Sequence, residues 1–130
     1  MQQISLEGKI ILWVEDDCSL RELVAKRVVQ EQCVVLHAGD GSEGIKFAIT
    51  EKPDIIMLDI QLPGMDGFEI LASLKADERT KAIPVIMLSN LDESENVAKA
   101  RRLGAVSFLA KASETPTTIV EKIRAVLCPQ

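Results

Sequence analysis

Apolar runs and helix-spaced segments alternate along the whole chain. The runs cover residues 10–14, 33–36, 55–58, 85–88 and 106–109. Between them, apolar residues recur at intervals of three and four, which predicts amphipathic helices, as at Leu20, Val24 and Val28. The runs themselves are continuously apolar, which is typical of strands buried on both faces. Strands that alternate with helices predict an α/β fold with a parallel sheet and right-handed crossovers.

Length and composition indicate one ordinary globular domain. A chain of 130 residues has room for about one domain of typical size. The 47% hydrophobic and 27% charged fractions exclude a disordered or collagen-like chain. Because one tryptophan and three phenylalanines are its only aromatic residues, aliphatic side chains must fill the core. We expect a single domain over residues 1–130, with a core from about residue 9 to 127 and no output domain in the chain.

The charge, the cysteines and the N-terminus narrow the class of protein further. A formal net charge of −5 argues against direct binding to nucleic acid or to an anionic membrane surface. Cys18, Cys33 and Cys128 lack metal-ligand spacing and are interpreted as reduced thiols. The first residues do not resemble a signal peptide, and no apolar stretch approaches the ~20 residues that span a bilayer. These features predict a cytoplasmic protein without membrane insertion.

Polar residues follow four of the apolar runs, where each strand is predicted to end. They are Glu15, Asp16 and Asp17 after the first run, Asp59 after the third, Ser89 after the fourth and Lys111 after the fifth. A solvated strand end would account for any one of them, but ligands of open α/β sheets bind at this edge. Several carboxylates in one pocket repel and raise one another's pKa. The cluster therefore predicts a bound cation, and hard oxygen donors suit Mg²⁺.

Other constellations of reactive residues are weak. His37 has no cysteine or second histidine nearby and is interpreted as a surface residue. Residues 39–44 have the glycine spacing of a dinucleotide loop, but they follow the second strand and carry Asp40 where a phosphate needs room. A turn and a helix start are predicted there instead. An aspartate-nucleophile phosphatase would need an acid two residues after Asp59, where Gln61 stands.

Four motifs occur in order along the chain: ILWVEDD at 11–17, PDIIMLDIQLPGMDG at 53–67, PVIMLS at 84–89 and GAVSFLAK at 104–111. Together they resemble the receiver domain of two-component response regulators, the CheY-like superfamily. The resemblance extends from about Lys9 to Leu127. It implies one doubly wound (βα)5 domain of the flavodoxin-like class, with a five-stranded parallel sheet in the order 2-1-3-4-5.

The resemblance also implies roles for the acidic residues. Asp59 is expected to be the phosphoacceptor, forming an acyl phosphate. Asp16 and Asp59 are expected to bind Mg²⁺ directly, Glu15 through water, and Gln61 through its backbone carbonyl. Asn90 and Gln61 would flank the entrance used by the phosphodonor or by water, and so influence the rate of dephosphorylation.

Further roles carried by the resemblance concern the phosphoryl group and the switch. Lys111 is expected to neutralise phosphoryl charge, and Ser89 to donate its hydroxyl hydrogen to a phosphoryl oxygen. Phe108 would move into space that Ser89 vacates, changing the surface of the fourth helix, fifth strand and fifth helix. Gly67 would let the chain turn close to the site, or simply begin a helix. Because Ala112 rather than proline follows Lys111, a trans peptide bond is expected there.

The expected function is that of a signalling switch rather than a turnover enzyme. The chain would take a phosphoryl group from a sensor histidine kinase or a phosphotransfer protein and act on an unidentified downstream protein, with a phosphorylation-dependent homodimer as one form of output. A receiver-like interaction module that is never phosphorylated is the alternative. A Mg²⁺-dependent phosphatase is disfavoured by Gln61.

Overall fold

A computed structural model gives the fold of residues 6–16, 19–90 and 94–128, to which the description is limited. Asp17, predicted to lie beside the site, falls outside these residues. The strands are β1 (Ile10–Val14), β2 (Val34–Ala38), β3 (Ile55–Asp59), β4 (Gln61–Leu62), β5 (Met65–Asp66), β6 (Val85–Ser89) and β7 (Ser107–Ala110). The helices are α1 (Ser19–Val29), α2 (Gly41–Glu51), α3 (Gly67–Ala76), α4 (Ser94–Arg102) and α5 (Pro116–Leu127). None of these helices is both long enough and apolar enough to span a membrane.

Five of the strands form one parallel sheet in the order β2-β1-β3-β6-β7. Numbered within that sheet alone, the order is 2-1-3-4-5, so the predicted flavodoxin-like fold is confirmed. The order reverses at β1 and β3, because the chain first moves outward to β2 and then crosses back. Ligands of open α/β sheets bind at such a reversal, outside the carboxyl ends of the strands.

The core lies in two layers, one on each face of the sheet. Leu12 and Val14 of β1 pack with residues of α2, α3 and α4 on one face. Ile11 and Trp13 pack with α1 and α5 on the other. Every residue of β3 is buried, which explains why this strand is apolar throughout instead of alternating.

Helix caps fix the chain where it enters the helices around the sheet. At the start of α3, the Asp66 carboxylate accepts a hydrogen bond from the backbone N–H of Phe68 at 2.8 Å. Asp40 caps α2 in a similar way, and Thr115 caps α5, with Pro116 as its first residue. Such caps satisfy N–H groups that the first helical turn leaves without an internal partner.

The segment after β3 differs from the loop that its proline and glycine predict. Gln61–Leu62 and Met65–Asp66 pair as two short antiparallel strands. Pro63 and Gly64 form the turn between them, and Gly64 has a φ of 73°. Proline followed by a glycine of positive φ suits a type II turn. The prediction missed the pairing because strands of two residues are too short to show a pattern.

Candidate functional site

Four strands of the main sheet deliver polar residues to its carboxyl edge. Asp59 ends β3 and Ser89 ends β6, whereas Glu15 and Lys111 directly follow β1 and β7. Asp59 pairs in register with Leu88, the residue before Ser89, so these strand ends lie at the same level. The topology therefore places the predicted residues at one edge.

Lys111 is the centre of the contacts that form. Its Nζ donates to Asp59 Oδ2 at 2.7 Å and also contacts Glu15 Oε2. The side chains are 13% exposed for Lys111, 9% for Asp59 and 1% for Glu15, so this is an enclosed charge cluster rather than a surface ion pair. One ammonium group thus compensates two carboxylates that would otherwise repel each other.

Burial and hydrogen bonding shift the pKa values in this cluster. Burial raises the pKa of the Glu15 carboxyl above its usual range, and hydrogen bonds from Lys111 and Trp13 oppose this rise without cancelling it. Burial acts to lower the pKa of Lys111, but its hydrogen bonds to Asp59 and Glu15 outweigh burial and the pKa is raised. Lys111 is therefore held as a cation beside Asp59.

Two further residues hold Glu15. The indole N–H of Trp13 donates to Glu15 Oε1 at 2.7 Å. The Nε2–H of His37 donates to the backbone carbonyl of Glu15, also at 2.7 Å. His37 is thus half-buried and bonded to the site, and its interpretation as a simple surface residue is wrong. Its contact follows from strand pairing, since His37 is the register partner of Trp13, which a single sequence does not reveal.

The chain after Asp59 is held tightly against the site. Asp59 Oδ1 accepts a hydrogen bond from the backbone N–H of Gln61 at 3.0 Å, and the N–H of Gly67 donates to Ile60 O at 2.7 Å. A Cβ on Gly67 would clash with the carbonyl oxygen of Asp59 and lie 2.7 Å from Ile60 Cα. Only glycine allows α3 to begin this close to the end of β3.

The remaining predicted residues differ in how far they are exposed. Asp16, Gln61 and Asn90 are exposed, Ser89 is buried, and Phe108 is half-buried and packs against the core on the α2–α4 face. The peptide bond between Lys111 and Ala112 is trans, as expected, since no cis bond occurs in the described chain.

The predicted cluster of three or more carboxylates does not form among residues 6–16, 19–90 and 94–128, where no such group of acidic, histidine or cysteine side chains is found. Glu15 and Asp59 meet at Lys111, while Asp16 is exposed. Lys111 therefore compensates these two acids in part, and the Mg²⁺ site stays a prediction. The carboxylates of Glu15 and Asp59 are nevertheless hard oxygen donors, and such donors fit a divalent ion such as Mg²⁺.

The family follows from comparison with known sequences. The profile described as "Response regulator receiver domain" matches residues 11–124. The chain belongs to this family. Members are generally signalling modules rather than enzymes: they receive phosphoryl groups from histidine kinases, bind a divalent metal and act on downstream targets. The predicted family is thereby confirmed, whereas the roles of individual site residues stay predictions.

Individual relatives agree with this assignment. The phosphate regulon transcriptional regulatory protein PhoB of Pseudomonas aeruginosa is 35% identical over 120 residues, 92% of this chain and 52% of PhoB, so the chain spans about half of that relative. Among solved structures, chemotaxis response regulator CheY4 of Vibrio cholerae has a TM-score of 0.84 at 28% identity, over 92% of this chain and 99% of CheY4. The Mn²⁺-bound form of response regulator Rcp1 has a TM-score of 0.77 at 26% identity, over 95% of this chain and 97% of Rcp1.

Proposed function

We propose that this chain is a phosphoaccepting receiver in which Asp59 accepts a phosphoryl group from a phosphohistidine in the presence of Mg²⁺. The observation that carries this proposal is the position of Lys111, whose Nζ lies 2.7 Å from Asp59 Oδ2 and also contacts Glu15. A cation fixed against the acceptor carboxylate stabilises the charge that an incoming phosphoryl group brings.

The proposed transfer is a substitution at phosphorus. A carboxylate oxygen of Asp59 forms the new P–O bond while the P–N bond of the phosphohistidine breaks, and its electron pair stays on the imidazole nitrogen. Lys111 balances the negative charge of the transferred group. Ser89, at the end of the strand next to Asp59, is assigned the donation of its hydroxyl hydrogen to a phosphoryl oxygen. Positioning and charge stabilisation account for such a transfer.

Oxygen donors of this chain are proposed to hold the metal ion: the carboxylates of Asp16 and Asp59, the backbone carbonyl of Gln61 and, through water, Glu15. Bound Mg²⁺ supplies a Lewis acid that stabilises phosphoryl oxygens. The assignment is supported by the chemistry of these donors, since the carboxylates of Glu15 and Asp59, which meet at Lys111, are hard oxygen ligands of the kind that Mg²⁺ prefers.

The proposed output passes through the face formed by α4, β7 and α5. Movement of Ser89 toward the phosphoryl group would free space for Phe108 and change this face. The upstream partner is a sensor histidine kinase or a phosphotransfer protein, and the downstream partner is a protein that binds the altered face, a second copy of the chain being one candidate. Phosphorylation then biases an equilibrium between two surface states.

The test is covalent labelling at Asp59. The protein is incubated with acetyl phosphate and Mg²⁺, and the modified residue is identified by mass spectrometry. We expect labelling of the unmodified protein, loss of labelling in Asp59→Asn, and loss in excess EDTA, because the transfer needs both the acceptor oxygen and the metal.

Asp77→Asn is the matched control, since Asp77 lies beyond the end of α3 and pairs with Arg79 rather than with any residue of the site. It is expected to label like the unmodified protein. Labelling that persists in Asp59→Asn would overturn the assignment of the acceptor. A complete lack of labelling in the unmodified protein would instead favour the interaction module.

A further inference from the structure

Trp13 is a buried core residue whose indole N–H also makes a hydrogen bond at the candidate site. It is the only tryptophan of the chain, and its side chain is fully buried in the layer between the sheet and helices α1 and α5. Its indole N–H nevertheless reaches the site, donating to Glu15 Oε1 at 2.7 Å. Because Trp13 and Glu15 are two residues apart on one extended segment, their side chains lie on the same side of the sheet.

The hydrogen bonds of Glu15 leave it little freedom. Oε1 accepts from Trp13, while Oε2 contacts Lys111. Its backbone carbonyl accepts from His37, and its backbone N–H donates to Ala38 O at 3.0 Å. The residue is 1% exposed, so water cannot replace a lost donor without rearrangement. Rotation of the carboxylate would leave buried negative charge without its hydrogen bonds, which is unfavourable.

The position of Lys111 depends in turn on Glu15. A lysine side chain has a flexible stem of four carbons and a point charge at its end, so its location is set by the groups that it contacts. Its Nζ contacts Glu15, which directly follows β1, and Asp59 at the end of β3. A chain of hydrogen bonds therefore runs from Trp13 through Glu15 and Lys111 to Asp59.

We propose that Trp13 is a positioning residue for phosphoryl acceptance: its indole N–H orients Glu15, and Glu15 holds the Lys111 ammonium group against Asp59. The inference rests on the proposed function of Asp59, but the geometric part of it can be tested separately. The alternative is that Trp13 contributes only to packing. In that case the shape of the ring system would matter and its N–H would not.

An isosteric replacement separates these two roles. Expression in a tryptophan auxotroph supplied with β-(3-benzothienyl)alanine replaces Trp13 alone, because the chain has no other tryptophan. The analogue keeps the bicyclic ring and puts sulfur in place of the N–H. Ile11→Val is the matched control: Ile11 lies on the same strand, is equally buried and belongs to the same core layer, but its side chain has no hydrogen-bonding group that could hold Glu15.

Two measurements are made on each protein. The first is the rate of Asp59 labelling by acetyl phosphate with Mg²⁺. We expect the analogue to slow labelling by about tenfold, the factor that corresponds to about 1.4 kcal/mol, while Ile11→Val labels at the original rate. The second is the ¹⁵N–¹H signal of the Lys111 ammonium group without phosphodonor, identified by its loss in Lys111→Arg. We expect this signal to shift or broaden in the analogue and to be unchanged in Ile11→Val.

The labelling rate and the Lys111 signal together decide whether Trp13 positions Lys111. Original labelling rates together with an unchanged Lys111 signal in the analogue would mean that Trp13 serves packing alone. Slower labelling with an unchanged Lys111 signal would overturn the route through Lys111. If the unmodified protein is not labelled at all, the proposed function fails, and the Lys111 signal alone then supports or overturns the positioning role of Trp13.

Discussion

At the scale of single residues, the charge balance of the site depends on Lys111. Its ammonium group contacts Asp59 and Glu15, and both carboxylates are largely removed from water. Removing one partner of such a buried pair is costly because it leaves the opposite charge without compensation. Lys81 is a comparison at the surface, because both side chains of its salt bridge with Glu78 are exposed. Exposed pairs of this kind contribute little to stability.

We therefore expect Lys111→Met to lower the free energy of unfolding by about 3 kcal/mol and Lys81→Met to lower it by less than about 1 kcal/mol, as measured by urea unfolding at neutral pH. Added Mg²⁺ should recover part of the loss in Lys111→Met, because a divalent ion compensates the same carboxylates. Equal effects of the two substitutions would contradict the view that the Lys111 cluster is enclosed.

Gly67 gives a second expectation at this scale. A Cβ there would meet the backbone of Asp59 and Ile60, whereas a Cβ on Gly39 would meet nothing within 4 Å. Gly67→Ala should push the end of β3 away from α3, destabilise the fold by about 1–3 kcal/mol and slow labelling at Asp59. Gly39→Ala should change neither quantity. Urea unfolding and acetyl phosphate labelling test both variants, and a normally stable and active Gly67→Ala protein would refute the clash.

At the scale of elements, the contacts that hold α4 include one buried side chain and one cation–π contact. Ala100 is buried, and it packs in the core layer that α4 shares with α2 and α3. Lys99 places its Nζ 4.5 Å from the centre of the Phe68 ring, and such cation–π contacts stabilise by about 0.5–1 kcal/mol at exposed sites. Because Phe68 directly follows Gly67, this contact links α4 to the segment that packs against Asp59.

The expected consequence is a looser α4 in Lys99→Gln. Amide hydrogen exchange in residues 95–102 should become faster by about twofold to fivefold, which corresponds to the energy of the lost contact. Arg101→Gln, on the same helix and also exposed, is the control and should leave the exchange rates unchanged. Equal acceleration in both variants would mean that loss of helix charge, rather than the Phe68 contact, controls the stability of α4.

How far the sequence predicts these features differs from element to element. Hydrophobic periodicity predicts the five strands of the main sheet, and the family resemblance implies their order. Together they place Asp59, Ser89 and Lys111 at the carboxyl edge of the sheet. The β4–β5 hairpin could not be predicted, since its strands are too short to leave a pattern. The interpretation of His37 as a surface residue is wrong because its contact with Glu15 depends on strand register.

The sequence predicts only one of the two roles of Lys111. Its role beside a phosphoryl group came from the resemblance, but its contact with Glu15 depends on side-chain rotamers across β1 and β7, which spacing in sequence does not encode. The same holds for the hydrogen bond between Trp13 and Glu15.

At the scale of the whole molecule, the proposed phosphorylation of Asp59 would change an equilibrium between two arrangements of the α4–β7–α5 face. Phe108 lies on β7, half-buried against the α2–α4 core layer. As a phenylalanine it has no hydroxyl group that could form a hydrogen bond in one arrangement and lose it in the other. The free-energy difference between its positions should therefore be small, and the arrangement typical of the phosphorylated protein should already be populated without phosphate.

We expect this minor arrangement to be visible in the unphosphorylated protein as microsecond-to-millisecond exchange in NMR relaxation dispersion of α4 and β7 amides. Beryllofluoride mimics the phosphoryl group on Asp59. It should change the free-energy difference between the two arrangements by much less than the ~5.5 kcal/mol that a change in populations from 1:99 to 99:1 requires. Phe108→Tyr should alter the populations, because a hydroxyl can find a partner in one arrangement. Phe47→Tyr, on α2 against the same core layer, should not. Identical populations in all three proteins would mean that Phe108 only fills the core and that the two arrangements differ elsewhere.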